Sequence, residues 1–193
     1  MASVHKLLLA VLLGFLFTAI REGLEKLPCV VGRLQAARTF GRPFAVYVDY
    51  AHTPDALKNV LVTARSFAKD RLICVFGCGG DRDHGKRPIM GEISGRYADL
   101  SVVTSDNPRT EDPMAIIDSI EGGIRRTAAS YVVIEDRRAA IHYALDQAHA
   151  GDVIVVAGKG HETYQEINGV KHHFDDREIV EAYLQEKTDG LGT

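Results

Sequence analysis

The stretch Leu72-Ile-Cys-Val-Phe76, followed by Gly77-Cys-Gly-Gly-Asp-Arg-Asp-His-Gly-Lys-Arg-Pro88, decides the fold. Five apolar residues in a row read as a strand buried on both faces. The glycine-rich loop then opens into helical sequence from Pro88 to Tyr97. The same alternation repeats on either side. Upstream, Ala45 to Asp49 reads as a strand and Pro54 to Ala68 as a helix, with proline suited to its first turn. Downstream, Leu100–Thr104, Val132–Glu135 and Val153–Ala157 read as strands. Helices starting at Asp112-Pro113 and running to about Ala129, and from Arg137 to His149, separate them. Asn168-Gly169 is a strong two-residue turn signal, so Tyr164 to Phe174 reads as a hairpin, with a closing helix from Asp175 to Gln185. Short apolar strands separated by helices predict an α/β fold: a mostly parallel, Rossmann-like sheet with helices on both faces and a C-terminal β-hairpin.

At 193 residues and 46% hydrophobic, the chain is long enough for one packed domain and a tail. Its 23 basic and 26 acidic residues are mixed along the chain, for a net charge of -3, which argues against a general nucleic-acid binder. Three cysteines, Cys29, Cys74 and Cys78, make no disulfide framework, so a reducing, cytoplasmic setting is expected. No second Cys/His pair completes a zinc site, and Cys74 sits in an apolar run that reads as core. From Leu7 to Ile20 there is no charge. The run is shorter than the roughly 20 residues of a membrane span and lacks a cleavage pattern, so a helix of a neighbouring domain is the preferred reading. Pro28 ends this stretch, which places a boundary near residue 32.

In parallel sheets, ligands sit beyond the C-terminal strand ends, and the unusual residues lie in those loops. Gly80-x-x-x-x-Gly85-Lys86 approaches a phosphate-binding loop, but Arg87 stands where a Ser or Thr hydroxyl would hold magnesium. Asp81 and Asp83 would also repel a triphosphate, so that reading is rejected. Arg82 offers a planar fork for a carboxylate, or pairs with the aspartates of its own loop. In Ser105-Asp-Asn-Pro-Arg109, Pro108 stiffens the chain while Asp106, Asn107 and Arg109 present an acceptor, an amide and a carboxylate clamp. Those groups suit a zwitterionic amino acid; an Asx turn opening a helix is the plainer alternative. Gly158-Lys-Gly-His-Glu162 exposes backbone N–H groups and adds a carboxylate, without the second histidine of a zinc motif. Asp49 can accept ribose hydroxyls and His52 can meet a base or phosphate, beside a helix cap from Thr53 or Asp55.

Taken together and in order, several strings resemble the Mur ligase family. They are Gly-Arg-Leu (32–34), Val-Asp-Tyr-Ala-His-Thr-Pro-Asp-Ala-Leu (48–57), Gly-Cys-Gly-Gly-Asp-Arg-Asp (77–83), Gly-Lys-Arg-Pro (85–88), Asp-Asn-Pro-Arg-Thr (106–110) and Ala-Gly-Lys-Gly-His-Glu (157–162). The Asp-Asn-Pro-Arg string resembles the branch that takes meso-diaminopimelate rather than lysine. The resemblance implies ATP-driven amide formation through an acyl phosphate on UDP-N-acetylmuramoyl-L-Ala-D-Glu, with Mg2+ and the triphosphate held by a central domain. It implies that Arg82, Asp106, Asn107, Pro108, Arg109, Gly158 and Glu162 meet diaminopimelate, and that Arg33, Asp49 and His52 line the ATP side. It further implies that residues 1–32 match the end of the central domain plus linker, and 33–193 the C-terminal domain. The phosphate loop and magnesium ligands of the family do not occur in these 193 residues, so no ATP turnover and no catalytic residue is expected of this chain alone. Alternatives are a diaminopimelate-binding module without catalysis, an inactive fragment, or a remnant held at a membrane by residues 7–20 if they are exposed.

Overall fold

The computed structural model describes residues 32–189. The apolar run of residues 7–20 and the boundary helix lie outside the described residues. Strands β1 (Gln35–Ala36), β2 (Ala45–Asp49), β3 (Leu72–Phe76), β4 (Leu100–Val103), β5 (Ser130–Val133) and β6 (Val153–Ala157) form one sheet in the order β1-β2-β6-β3-β4-β5. Only β1 runs antiparallel, against β2; the pairs β2–β6, β6–β3, β3–β4 and β4–β5 are all parallel. Five helices are described: α1 (Pro54–Arg65), α2 (Lys86–Tyr97), α3 (Pro113–Ile124), α4 (Arg137–Asp146) and α5 (Asp176–Asp189). A separate hairpin, β7 (Tyr164–Ile167) and β8 (Val170–His173), precedes α5.

The parity of the central strands explains the layers. In β3, Leu72, Cys74 and Phe76 face a core shared with Leu57 and Leu61 of α1, Met90 of α2 and Ile117 of α3. Ile73 and Val75 point the other way, into a core with Ile141 of α4 and Ile179, Val180 and Leu184 of α5. Every residue of β3 and β6 is buried, as two-sided covering of a parallel sheet requires.

The element boundaries follow local chemistry. Thr53, Asp112 and Asp136 cap α1, α3 and α4 through their side-chain oxygens. Helix α2 begins at Lys86, two residues before the expected start, because Pro88 still falls within a first turn, where its missing N–H costs nothing. Helices α1 and α3 end earlier than expected. Ser66 and Thr127 turn their hydroxyls back onto the carbonyls of Thr63 and Ile124 and close the last turn. The two-residue edge strand β1 was not expected; it is too short to show a period. Asn168 and Gly169 adopt φ of 49 and 77 degrees, the left-handed pair that the hairpin turn was expected to need.

Candidate functional site

Parallel strands end at the same edge of the sheet, so the loops after β2, β3, β4 and β6 converge there. They enclose a cavity of about 540 Å³. Arg82, Lys86 and Arg109 line it with positive charge; Asp83, Asp106 and Glu162 line it with negative charge. Tyr50, His52, Asn107, Gly158 and Tyr164 complete most of the wall. The balanced charges suit a ligand that carries both signs.

Asn107 is the centre of the polar wall and is buried to 3% exposure. Its Oδ1 accepts from Lys159 Nζ at 2.9 Å and from the Glu166 N–H at 2.9 Å, while its Nδ2 donates to Glu162 Oε2 at 2.9 Å. Lys159 is fully buried, 3.4 Å from Glu162 and 3.9 Å from Asp106. Burial pulls its ammonium below the ordinary lysine range, and the charges of Asp106 and Glu162 oppose that shift. Gly158 has φ of 120 degrees, and a Cβ there would stand 2.4 Å from Asp106 Oδ2. Only glycine lets that carboxylate lie against the loop after β6.

The cationic side is built across two loops. Arg109 Nη1 donates to the Gly80 carbonyl at 2.8 Å, and its Nε lies 3.4 Å from Glu166. Gly79 lies between the Arg109 guanidinium and the Arg82 stem: a Cβ there would be 2.9 Å from Arg109 Nη1 and 3.8 Å from Arg82 Cγ. Gly80 touches the Pro108 carbonyl so closely that a Cβ would stand 1.9 Å away. Pro108 thus joins the two loops without lining the cavity. Arg82 donates to the Asp81 carbonyl rather than to a carboxylate of its loop; Asp81 is bonded to Thr110 and Asp83 to the Gly85 N–H. Among the described residues its charge has no carboxylate partner.

Behind the wall, Arg87 is buried and reaches Glu111 at 2.8 Å. The Arg87 guanidinium, then the Asp81 N–H, hold Glu111 well below the usual carboxylate range, at about 2. Arg137 and Asp176 form a fully buried two-point pair at 2.8 and 2.7 Å, and Arg137 also donates to the Ala157 carbonyl. Burial opposes the Arg137 charge, but the Asp176 carboxylate outweighs it and raises the pKa. Burial pushes the Cys74 and Cys78 thiols up to about 12, so they are core groups.

The structure therefore brings Arg82, Asp106, Asn107, Arg109, Gly158 and Glu162 to one cavity, with Pro108 behind it. Arg33 and Asp49 line a second, shallower depression of about 310 Å³ beside α1. There Asp49 Oδ2 accepts the Leu34 N–H at 2.7 Å, and the Arg33 guanidinium lies 5.4 Å from the Tyr50 ring centre. His52 opens on the larger cavity instead, held by its ring to the Tyr50 carbonyl at 2.9 Å. Lys86 Nζ donates to the His52 carbonyl, and Arg87 is tied to Glu111; neither arrangement belongs to a phosphate loop. Among the described residues no group of three His, Cys, Asp or Glu could hold a metal, and no helix is long and apolar enough to cross a membrane. Lys159, Tyr164 and Glu166 were not singled out from sequence, and Lys86 only within the rejected phosphate-loop reading. For Lys159 a signal existed, a lysine between two glycines straight after a buried strand.

Residues 32–160 match the family described as Mur ligase, glutamate ligase domain. The chain belongs to the Mur ligase family. The UDP-N-acetylmuramoyl-L-alanyl-D-glutamate–2,6-diaminopimelate ligase of Caldanaerobacter subterraneus subsp. tengcongensis is 52% identical over 174 residues, 90% of this chain and 36% of that protein. The protein of the same name from Geobacter metallireducens is 52% identical, over 91% of this chain and 37% of its own length. The chain thus spans little more than a third of the curated relatives it matches. A solved structure of a protein of that name aligns with a TM-score of 0.76 at 49% identity, covering 84% of this chain and 33% of that one. A pseudomurein peptide ligase type C from Methanothermus fervidus aligns with a TM-score of 0.58 at 18% identity, covering 92% of this chain and 33% of that one, a likeness of fold alone. As a Mur ligase domain, the chain carries its polar cavity at the strand ends.

Proposed function

We propose that this Mur ligase domain binds meso-diaminopimelate in the 540 Å³ cavity, within an ATP-dependent ligase that adds it to UDP-N-acetylmuramoyl-L-Ala-D-Glu. The observation that carries this reading is the pairing of opposite charges in one cavity: Arg82 and Arg109 flanking Gly79, against the Asp106, Asn107 and Glu162 wall. Diaminopimelate has two amines and two carboxylates, with no net charge at neutral pH. Buried charge is tolerated only when paired, and a cavity of equal and opposite groups pairs such a ligand at both ends. Lysine would leave Arg109 without a ligand carboxylate. Loss of a hydrogen-bonded group can give discrimination of about 10⁴. The names of relatives at about half identity support the same substrate.

In the reaction this domain would hold the amino acid, exclude part of the water and aim one amine at the acyl phosphate. Arg33 and Asp49, with a depression between them, fit the polar edge of a nucleoside. The loop of residues 77–88 does not fit a triphosphate: Lys86 is bonded to the His52 carbonyl and Arg87 to Glu111. We assign the phosphate chemistry, and the Mg2+ that the family resemblance implies, to other parts of the ligase.

The test replaces the corresponding third of the Geobacter metallireducens relative with this chain and measures ADP release. Release that depends on meso-diaminopimelate and not on L-lysine is expected. A chimera that folds, binds ATP and accepts lysine equally well would contradict the proposal.

A further inference from the structure

The hairpin β7–β8 lies beyond residue 160, where the family match ends, yet it grips the loop after β4 residue by residue. Gln165 Nε2 donates to the Asp106 carbonyl at 2.7 Å. The Glu166 N–H donates to Asn107 Oδ1 at 2.9 Å, and the Glu166 carbonyl accepts the Arg109 N–H at 3.0 Å. The Asn168 N–H donates to the Arg109 carbonyl at 2.7 Å. Arg109 itself sits at φ of 53 degrees, a left-handed conformation that costs an arginine energy unless neighbours impose it. The hairpin imposes it.

Resting on the diaminopimelate reading above, we propose that Glu166 is a positioning residue for Arg109 and thereby sets selectivity for the ligand's distal carboxylate. Its carboxylate lies 3.4 Å from Arg109 Nε, with Glu166 and Arg109 side chains 24% and 18% exposed. Nη1 is already held by the Gly80 carbonyl. With Nη1 bonded to the Gly80 carbonyl and Nε in an ion pair with Glu166, the guanidinium is held at two nitrogens, and Nη2 is the one without a hydrogen bond among the described residues. A long side chain ordered before binding loses little freedom when the ligand arrives. The main-chain bonds of Glu166 hold the loop, and its side chain holds the guanidinium. Replacing the side chain removes the second function and leaves the first.

The experiment is calorimetric titration of the full chain with meso-diaminopimelate and with L-lysine, for the unaltered chain, Glu166→Ala and Glu166→Gln, repeated in an Arg109→Lys background. Thermal unfolding runs in parallel as a check on folding. Glu166→Ala is expected to weaken diaminopimelate binding about tenfold, the scale of one freed rotamer-rich side chain. Glu166→Gln, which keeps the side-chain length and an oxygen facing Nε but loses the charge of the ion pair, should recover part of it. In the Arg109→Lys background the alanine change should cost little more, because the two residues act as one unit. Unchanged or tighter binding by Glu166→Ala, or the same loss in both backgrounds, would overturn the proposal while leaving the diaminopimelate reading intact. An unaltered chain that binds no diaminopimelate would sink that reading and this one together.

Discussion

Asn107 makes three of the four hydrogen bonds its amide can make: Oδ1 accepts from Lys159 and from the Glu166 N–H, and Nδ2 donates to Glu162. A buried amide so used fixes the side chains around it, because leaving any one of those groups unpaired costs about 1–3 kcal/mol. Glu111 does the same work behind the cavity, between Arg87 and the Asp81 N–H. Its carboxyl is held at about 2 in the folded chain against an ordinary 4.5. A depressed carboxylate contributes stability that is full above pH about 4.5 and lost as pH falls toward 2. Urea unfolding of the unaltered chain should therefore weaken more steeply over that window than Glu111→Gln does. The variant should be the less stable at pH 6 and converge with the unaltered chain near pH 2. Equal pH slopes would show that the Arg87–Glu111 contact is not formed. Residue types at the site were legible because charged and glycine residues crowded into strand-end loops. Their partners were not. Lys159 carries a charge, and a charge normally signals surface; only the folded chain shows two carboxylates and an amide around it.

Strands and helices were legible as elements because apolar runs and helical periods differ, and proline and aspartate mark helix starts. Helix ends shifted by a few residues, since hydroxyl-to-carbonyl closure at Ser66 and Thr127 has no periodic signature. The docking of elements was less legible still. The Arg137–Asp176 pair joins the start of α4 to the start of α5, residues 39 apart in sequence, and both side chains are fully buried. Removing one partner of a buried pair strands the other charge, at a cost of about 3–5 kcal/mol. Asp176→Ala is expected to lose stability on that scale in urea unfolding. Because Arg137 also holds the Ala157 carbonyl beside Gly158, the same variant should weaken ligand binding. A loss below about 1 kcal/mol would mean that the pair is solvated in solution.

For the whole molecule, the position of the site follows from topology. Parallel strands joined by crossover helices bring every strand end to one edge, so four loops spread from residue 49 to 163 meet there. The sequence order of those loops was enough to expect a shared site for Arg82, Asp106, Asn107, Arg109, Gly158 and Glu162. It was not enough to separate His52 from Arg33 and Asp49, which open on different depressions. That separation depends on which way the turn after β2 directs each side chain. Nor did it show that the hairpin folds back onto the loop after β4, a contact set by three-dimensional docking rather than by any local pattern.

The central claim is that the balanced cavity takes a doubly zwitterionic amino acid. Calorimetric titration of this chain with meso-diaminopimelate, with L-lysine as control and Arg109→Ala alongside, tests it most directly. One diaminopimelate per chain, little or no heat from lysine, and at least tenfold weaker binding by a folded Arg109→Ala are predicted, since a charge-assisted bond to a carboxylate contributes about 1.5–3 kcal/mol. Absence of binding, equal binding of lysine, or undiminished binding by Arg109→Ala would contradict the account.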